Sequence, residues 1–360
     1  MVASSDNKWI ATAAKDGTII VWDTESGTIV QEWLPYQGCN VRDLAFSPDS
    51  PRLASVSADG RGSDDRLLVV WHIGADGVRK AATPAGHTRT VTECAWSPDG
   101  TLLASASTGG MICVWDALTF EQRSVANEFD AVPAEPASIR PSLQFSPDSR
   151  YLAWAAQCRI FGTYVWRPLT SERPRWLTSL GSTDGSRKFP IDTLSFDPEG
   201  RRIAIVTRDP WAVQIWPWDS VRNMPLVLLA GHTEPVADVS FSPDGRSILS
   251  ASLDGLVKLW DAESGVETAP LLVYERYTTS PAPVVKACYS PDGKHIATIA
   301  MGSSTVQLWR TDNASCAVEF IEHNGAEVSQ VVFSPNGEFL ASGDVNGLVV
   351  IRRFPDSLRY

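Results

Sequence analysis

AGHTEPVADVSFSPDGRSILSASLDGLVKLWDAESG, running from Ala230 to Gly265, is the stretch on which the fold turns. The phrase Phe241-Ser-Pro-Asp-Gly245 divides it. Proline has no N–H to give to a β-ladder, so the phrase marks a turn between strands. After it, Ser247 to Ser252 alternates and predicts a strand. Asp254-Gly255 then sits between alternating apolar runs and predicts a hairpin, and the returning strand ends in Trp260-Asp261.

The same grammar recurs along the chain. Aromatic-Ser-Pro-Asp-Gly or a close variant begins at Phe46, Trp96, Phe145, Phe196, Tyr289 and Phe333, with a degraded copy from Ala3. From Phe46 onward successive anchors lie 44 to 51 residues apart. The returning strands end at Trp22, Trp71, Trp115, Trp166, Trp216 and Trp309, and the last unit puts Arg352 there. Self-similarity at this period means a propeller or a solenoid. No helical period appears.

These residues resemble the WD40 repeat family over essentially the whole chain, and the quoted unit carries the resemblance best. Gly231-His232 opens it, as Gly86-His87 opens the third unit, and Trp-Asp closes its third strand. The resemblance implies an all-β propeller of four-stranded antiparallel blades. It also implies a structural tetrad in unit six of His232, Ser252, Asp254 and Trp260. In unit three it implies His87, Ser107 and Trp115, with Gly109 in place of the Asp. Unit two keeps Ser57 and Trp71 without Gly-His, and unit eight has Asn346 and Arg352 in the Asp and Trp positions.

Two closures are open. All eight units form blades, the first with only Met1 to Ser4 as its first strand and the last without a fourth strand. Alternatively units two to eight form seven blades, an N-terminal hairpin is left over, and Thr28 to Leu34 serves the last blade as its outer strand. Eight is favoured, because the hairpin of unit one needs a neighbour to cover its apolar face. Residues 1–360 then read as one propeller domain whose abrupt start suggests a chain truncated at its N-terminus.

Composition narrows the function. The chain has 360 residues, a net charge of -11 and 43% hydrophobic residues. An acidic surface repels phosphate backbones, so no nucleic-acid partner is expected. Cys39, Cys94, Cys113, Cys158, Cys288 and Cys316 show no C-x-x-C spacing, which predicts reduced thiols and no zinc site. No signal peptide and no apolar run of membrane length is present, so a cytoplasmic or nuclear setting is expected. There is no G-x-S-x-G elbow, phosphate loop or H-E-x-x-H. The Ser, His and Asp of unit six recur as partial sets in other units, which a catalytic site would not. No catalytic residue, metal or cofactor is assigned.

Half of the 14 tryptophans are the repeated third-strand residue. Trp211 stands in the second-to-third-strand turn of unit five, and Trp176 in a long connection. Three segments lengthen the repeat: Ala58 to Arg66, Asn127 to Arg140 and Ser171 to Pro190. The resemblance places hairpin turns and incoming connections on one face, the one usually used for binding. Arg61, Asp64, Asp65, Arg89, Arg208, Trp211 and Glu234 are the candidates there for contact with other proteins or peptides. The expected function is a non-catalytic interaction scaffold or adaptor within a multi-subunit complex. The alternative is the sensor or regulatory domain of a larger signalling enzyme, an NTPase or kinase whose catalytic part lies upstream.

Overall fold

A computed structural model describes residues 1–36, 39–49, 51–58, 68–74, 76–108, 110–126, 142–157, 161–179, 193–208, 210–217, 225–272 and 282–354. They form 31 strands and, among the described residues, no helix. The strands make seven four-stranded sheets and one three-stranded sheet, each following chain order. The chain divides into two compact units, Met1–Ser179 and Leu180–Tyr360, with four sheets each.

The repeated phrase folds as a capped turn. In the sixth sheet, Ser242 Oγ donates to Asp244 Oδ1 at 2.6 Å and accepts Ser247 N–H at 2.9 Å. Asp244 Oδ1 also accepts Arg246 N–H, and Gly245 supplies φ +70°. Ser97–Asp99, Ser146–Asp148, Ser290–Asp292 and Ser334–Asn336 repeat the hydroxyl-to-side-chain bond. Aspartate is there because its carboxylate satisfies turn N–H groups that no strand reaches.

The second strands, Leu102–Ser107, Ser247–Ser252 and His295–Ala300, are buried along nearly their whole length. Their small residues let a neighbouring sheet approach on either side. Within each compact unit the core is therefore a series of layers between consecutive sheets. Ala54, Val56, Leu68 and Val70 of the second sheet meet Val91, Cys94, Trp96 and Leu103 of the third. Ala297, Ile299, Val306 and Leu308 of the seventh meet Val328, Val331 and Leu340 of the eighth. Carboxylates stitch such seams: Asp43 Oδ2 of the second sheet accepts Cys94 N–H of the third at 3.1 Å, and Asp238 Oδ2 of the sixth accepts Ala287 N–H of the seventh at 3.3 Å.

The end sheets decide the blade count. Val2–Ala3 pairs with Trp9–Ala13 as a two-residue first strand. Ile29–Trp33, within the segment that the seven-blade reading gave to the last blade, pairs instead with Ile19–Asp23 of its own sheet. Unit one is thus a complete sheet, and the eight-blade reading is the one the pairing shows. In the last sheet Val349–Arg353 follows Phe339–Asp344, and no fourth strand is found there among the described residues.

Two placements differ from the sequence reading. Trp176 lies in the fourth strand of the fourth sheet, Arg175–Ser179, rather than in a connection. Trp211 opens the third strand of the fifth sheet, Trp211–Pro217, opposite Arg208, and is half-buried. In the first case the strand extends into the long segment, and in the second the pairing of the hairpin runs out to Arg208 and Trp211.

Candidate functional site

Each sheet has two edges where loops gather, and backbone bonds show which loops share an edge. The residue after a second strand repeatedly donates to a carbonyl just before the first strand: Thr108 to Thr90, Leu253 to Pro235, Met301 to Pro283 and Val345 to Glu327, at 2.8–2.9 Å. Hairpins between second and third strands are thereby stapled to the incoming connections. The opposite edge carries the Ser-Pro-Asp-Gly turns, stapled to the turn after the third strand by Ala117 to Thr101, Ala262 to Arg246 and Thr311 to Lys294.

Beneath the first edge lies a buried polar chain. In the sixth sheet Trp260 Nε1 donates to Ser250 Oγ at 2.8 Å. Ser250 Oγ lies 2.8 Å from His232 Nε2, and His232 Nδ1 lies 2.8 Å from Asp254 Oδ2. One proton arrangement satisfies every atom: Trp N–H to Ser, Ser O–H to Nε2, and Nδ1–H to the carboxylate. Burial pushes the Asp254 carboxyl up, but the His232 hydrogen bond and charge, with the N–H groups of Leu256 and Thr233, outweigh it and hold it below its ordinary value.

The serine differs from the one expected. Strand pairing sets Trp260 opposite Ile248, so Ser250 is its diagonal neighbour on the same face. Ser252 shares that face one step too far away. Its hydroxyl instead lies 3.0 Å from the carbonyls of Glu234 and Pro235, tying down the incoming loop. The third sheet repeats the shift. Trp115 Nε1 donates to Ser105 Oγ at 3.0 Å and His87 Nε2 meets the same hydroxyl at 2.7 Å, while Ser107 bonds Met111 O. Burial pushes the His87 imidazole down to about 4. Gly109 lies outside the described residues.

Other sheets vary the theme. In the second, Ser55 rather than Ser57 receives Trp71 Nε1 at 2.7 Å, and Tyr36 OH takes the place of the imidazole at 2.8 Å. Thr12 and Thr298 receive Trp22 and Trp309, each at 2.9 Å. In the eighth sheet His323 Nε2 meets Ser342 Oγ at 2.7 Å, and its Nδ1 meets Asp344 Oδ2 at 3.1 Å. Asp344, not Asn346, supplies this carboxylate, and Asn346 gives its N–H to Asp344. Arg352, in the tryptophan's place, pairs with Glu322 and stacks over Phe320 at 4.3 Å. The fourth and fifth sheets lose the hydroxyl: Trp154 and Ile205 hold its position, and Trp166 and Trp216 donate to Glu172 O and Gln214 Oε1.

The glycine of Gly-His has a steric cause. A Cβ on Gly86 would come within 2.9 Å of the Trp115 ring and 2.6 Å of Gln122 Oε1.

Of the candidate contact residues, Glu234 is exposed and Arg89 half-buried, each two residues after the histidine of its own sheet. Trp211 stands at the start of its strand. Arg208 is placed by its backbone opposite Trp211. Arg61, Asp64 and Asp65 lie outside the described residues, as do Asn127 to Arg140 and Cys158. Cys94, Cys113, Cys288 and Cys316 are free thiols. Among the described residues no group of three or more His, Cys, Asp or Glu is placed to hold a metal ion, and no helix is long and apolar enough to cross a membrane.

Eight consecutive antiparallel sheets, repeated at a near-constant period and carrying variants of one buried polar chain, define a β-propeller repeat protein. The model of the WD domain, G-beta repeat, matches residues 1–23, 28–72, 79–116, 223–261 and 314–352, and the chain belongs to the WD40 repeat family. Protein HIR1 of Gibberella zeae is 25% identical over 98% of this chain and 33% of its own length. Periodic tryptophan protein 2 of Arabidopsis thaliana is 26% identical over 70% of this chain and 25% of its own. The chain thus spans a third or less of these two relatives. The crystal structure of the C-terminal WD40 domain of Sif2 superposes with a TM-score of 0.74 at 16% identity, covering 97% of this chain and 93% of that one.

Proposed function

We propose that this chain is a non-catalytic interaction platform that binds other proteins or peptides through the edge carrying the second-to-third-strand hairpins. The observation that carries the reading is the recurring staple of those hairpins to the incoming connections in sheets three, six, seven and eight. It gives a fixed frame on which loop residues vary without disturbing the sheets. Arg89, Trp211 and Glu234, with Arg61, Asp64, Asp65 and Arg208, are the side chains proposed for contact. In this reading residues 1–360 act as one domain, in the cytoplasm or nucleus, within a larger assembly. The net charge of -11 disfavours a nucleic-acid partner.

The test is quantitative affinity purification with the wild type and with a variant carrying Arg61→Glu, Arg89→Glu and Glu234→Arg. The variant is expected to melt within about 2 °C of the wild type, since Arg89 and Glu234 stand outside the buried core and such substitutions change stability little, and to lose the specifically captured proteins. Unaltered capture by a folded variant overturns the assignment of the edge.

A further inference from the structure

The seventh and eighth sheets concentrate apolar surface on that same edge. Met301 in one hairpin is 43% exposed, Ile321 in the connection is 53% exposed, and Val345 and Leu348 in the next hairpin are 51% and 40% exposed. Bonds through Glu327 and Val328 tie together the two hairpins that carry Met301, Val345 and Leu348. Glu327 Oε1 accepts Gly302 N–H at 3.0 Å, its carbonyl accepts Val345 N–H at 2.9 Å, and Ser303 O accepts Val328 N–H at 2.8 Å. Exposed aliphatic side chains on a stapled frame are unlike scattered surface apolar residues, and such patches mark contact sites. Methionine adds a surface that adapts to what it meets.

The loop segments that carry the patch hold charges of one sign. Residues 301–305, 321–327 and 345–348 contain Glu322 and Glu327 and no lysine or arginine. Glu322 is paired with Arg352. Glu327 has an N–H on Oε1 and no protein cation on Oε2 among the described residues. A Cβ on Gly302, Gly325 or Gly347 would meet nothing within 4 Å, so the loops leave the approach open. A second copy of the chain would bring the same acidic rim and a net charge of -11, which opposes self-docking.

We infer that this patch docks a basic, apolar peptide segment: a long aliphatic or aromatic side chain on Met301, Val345 and Leu348, flanked by lysine or arginine facing Glu327. The inference rests on the loop-edge reading and names the partner chemistry for one part of that edge. Glu327 adds selection by sign more than affinity, as rim charges do.

The experiment is panning of a random twelve-residue peptide library on the immobilised chain. It is run in parallel on Met301→Ser/Val345→Ser, on Glu327→Gln and on the charge variant Arg61→Glu/Arg89→Glu/Glu234→Arg. Peptides enriched on the wild type are expected to carry the basic-apolar pattern. Their affinity should fall at least tenfold on the apolar variant and about threefold on Glu327→Gln, with melting unchanged. Failure to enrich peptides, enrichment of acidic ones, or binding indifferent to Met301→Ser/Val345→Ser overturns the inference. So does a change in sedimentation of that variant, which would make the patch a contact between copies. If the enriched peptides respond only to the charge variant, the loop-edge reading stands and this patch falls.

Discussion

Replacing Ser250 by alanine should cost far more than replacing Ser252. Ser250 Oγ stands between Trp260 Nε1 and His232 Nε2 at 2.8 Å on both sides, in a fully buried position. Its removal orphans an indole N–H and an imidazole nitrogen at once. Each unsatisfied buried group costs about 1–3 kcal/mol, and loss of one oxygen leaves almost no cavity, so the total is about 2–6 kcal/mol. Ser252→Ala loses a bond to the carbonyls of Glu234 and Pro235 and a longer one from Asp254 N–H, about 1–2 kcal/mol. Urea denaturation of both variants reads the difference directly, and hydrogen exchange of the Trp260 indole reads it locally. The indole should exchange faster in Ser250→Ala and stay protected in Ser252→Ala. Equal or greater destabilisation by Ser252→Ala would refute the assignment of the hydroxyl.

Two further outcomes follow from the same device. His87 has a folded value near 4 against about 6.5 when unfolded, so its neutral form stabilises the fold above pH 6.5, and that contribution is lost as the pH falls towards 4, to about 3 kcal/mol in total; His87→Gln should flatten the acid limb of the urea midpoint, and an unchanged limb would count against it. Gly86→Ala should lower stability by about 1–3 kcal/mol through overpacking against the Trp115 ring, whereas a neutral melt would show that the ring moves aside freely.

Much of the architecture was legible because the repeated phrase has a local cause. Ser242, Asp244 and Gly245 satisfy their own turn, so the signal survives in every unit whatever surrounds it. The favoured eight-blade reading rests on a less local argument, that the hairpin of unit one needs a neighbour to cover its apolar face, and the pairing of Ile29–Trp33 with Ile19–Asp23 completes that unit as a sheet. The hydroxyl of the polar chain was not legible to that depth. Ser250 and Ser252 lie on one face of one strand, and only the pairing of Ile248 with Trp260 tells which is in reach. Asp344 was missed for a related reason: it stands at the strand position that a serine holds in the sixth sheet, and His323 reaches it there instead of in the turn. Tyr36 gave no signal at all, because nothing in its neighbours distinguishes a phenol aimed at Ser55 from an ordinary loop aromatic.

The stitching of consecutive sheets by Asp43 and Asp238 has a mechanical meaning. Those bonds join residues 51 and 49 positions apart, one repeat in each case. Within each unit, a chain pulled from its ends therefore need break only one seam to release one sheet. Each released repeat would lengthen the tether by about 150 Å, at roughly 3.4 Å per residue. Under load the protein would behave as a string of similar links that yield in turn.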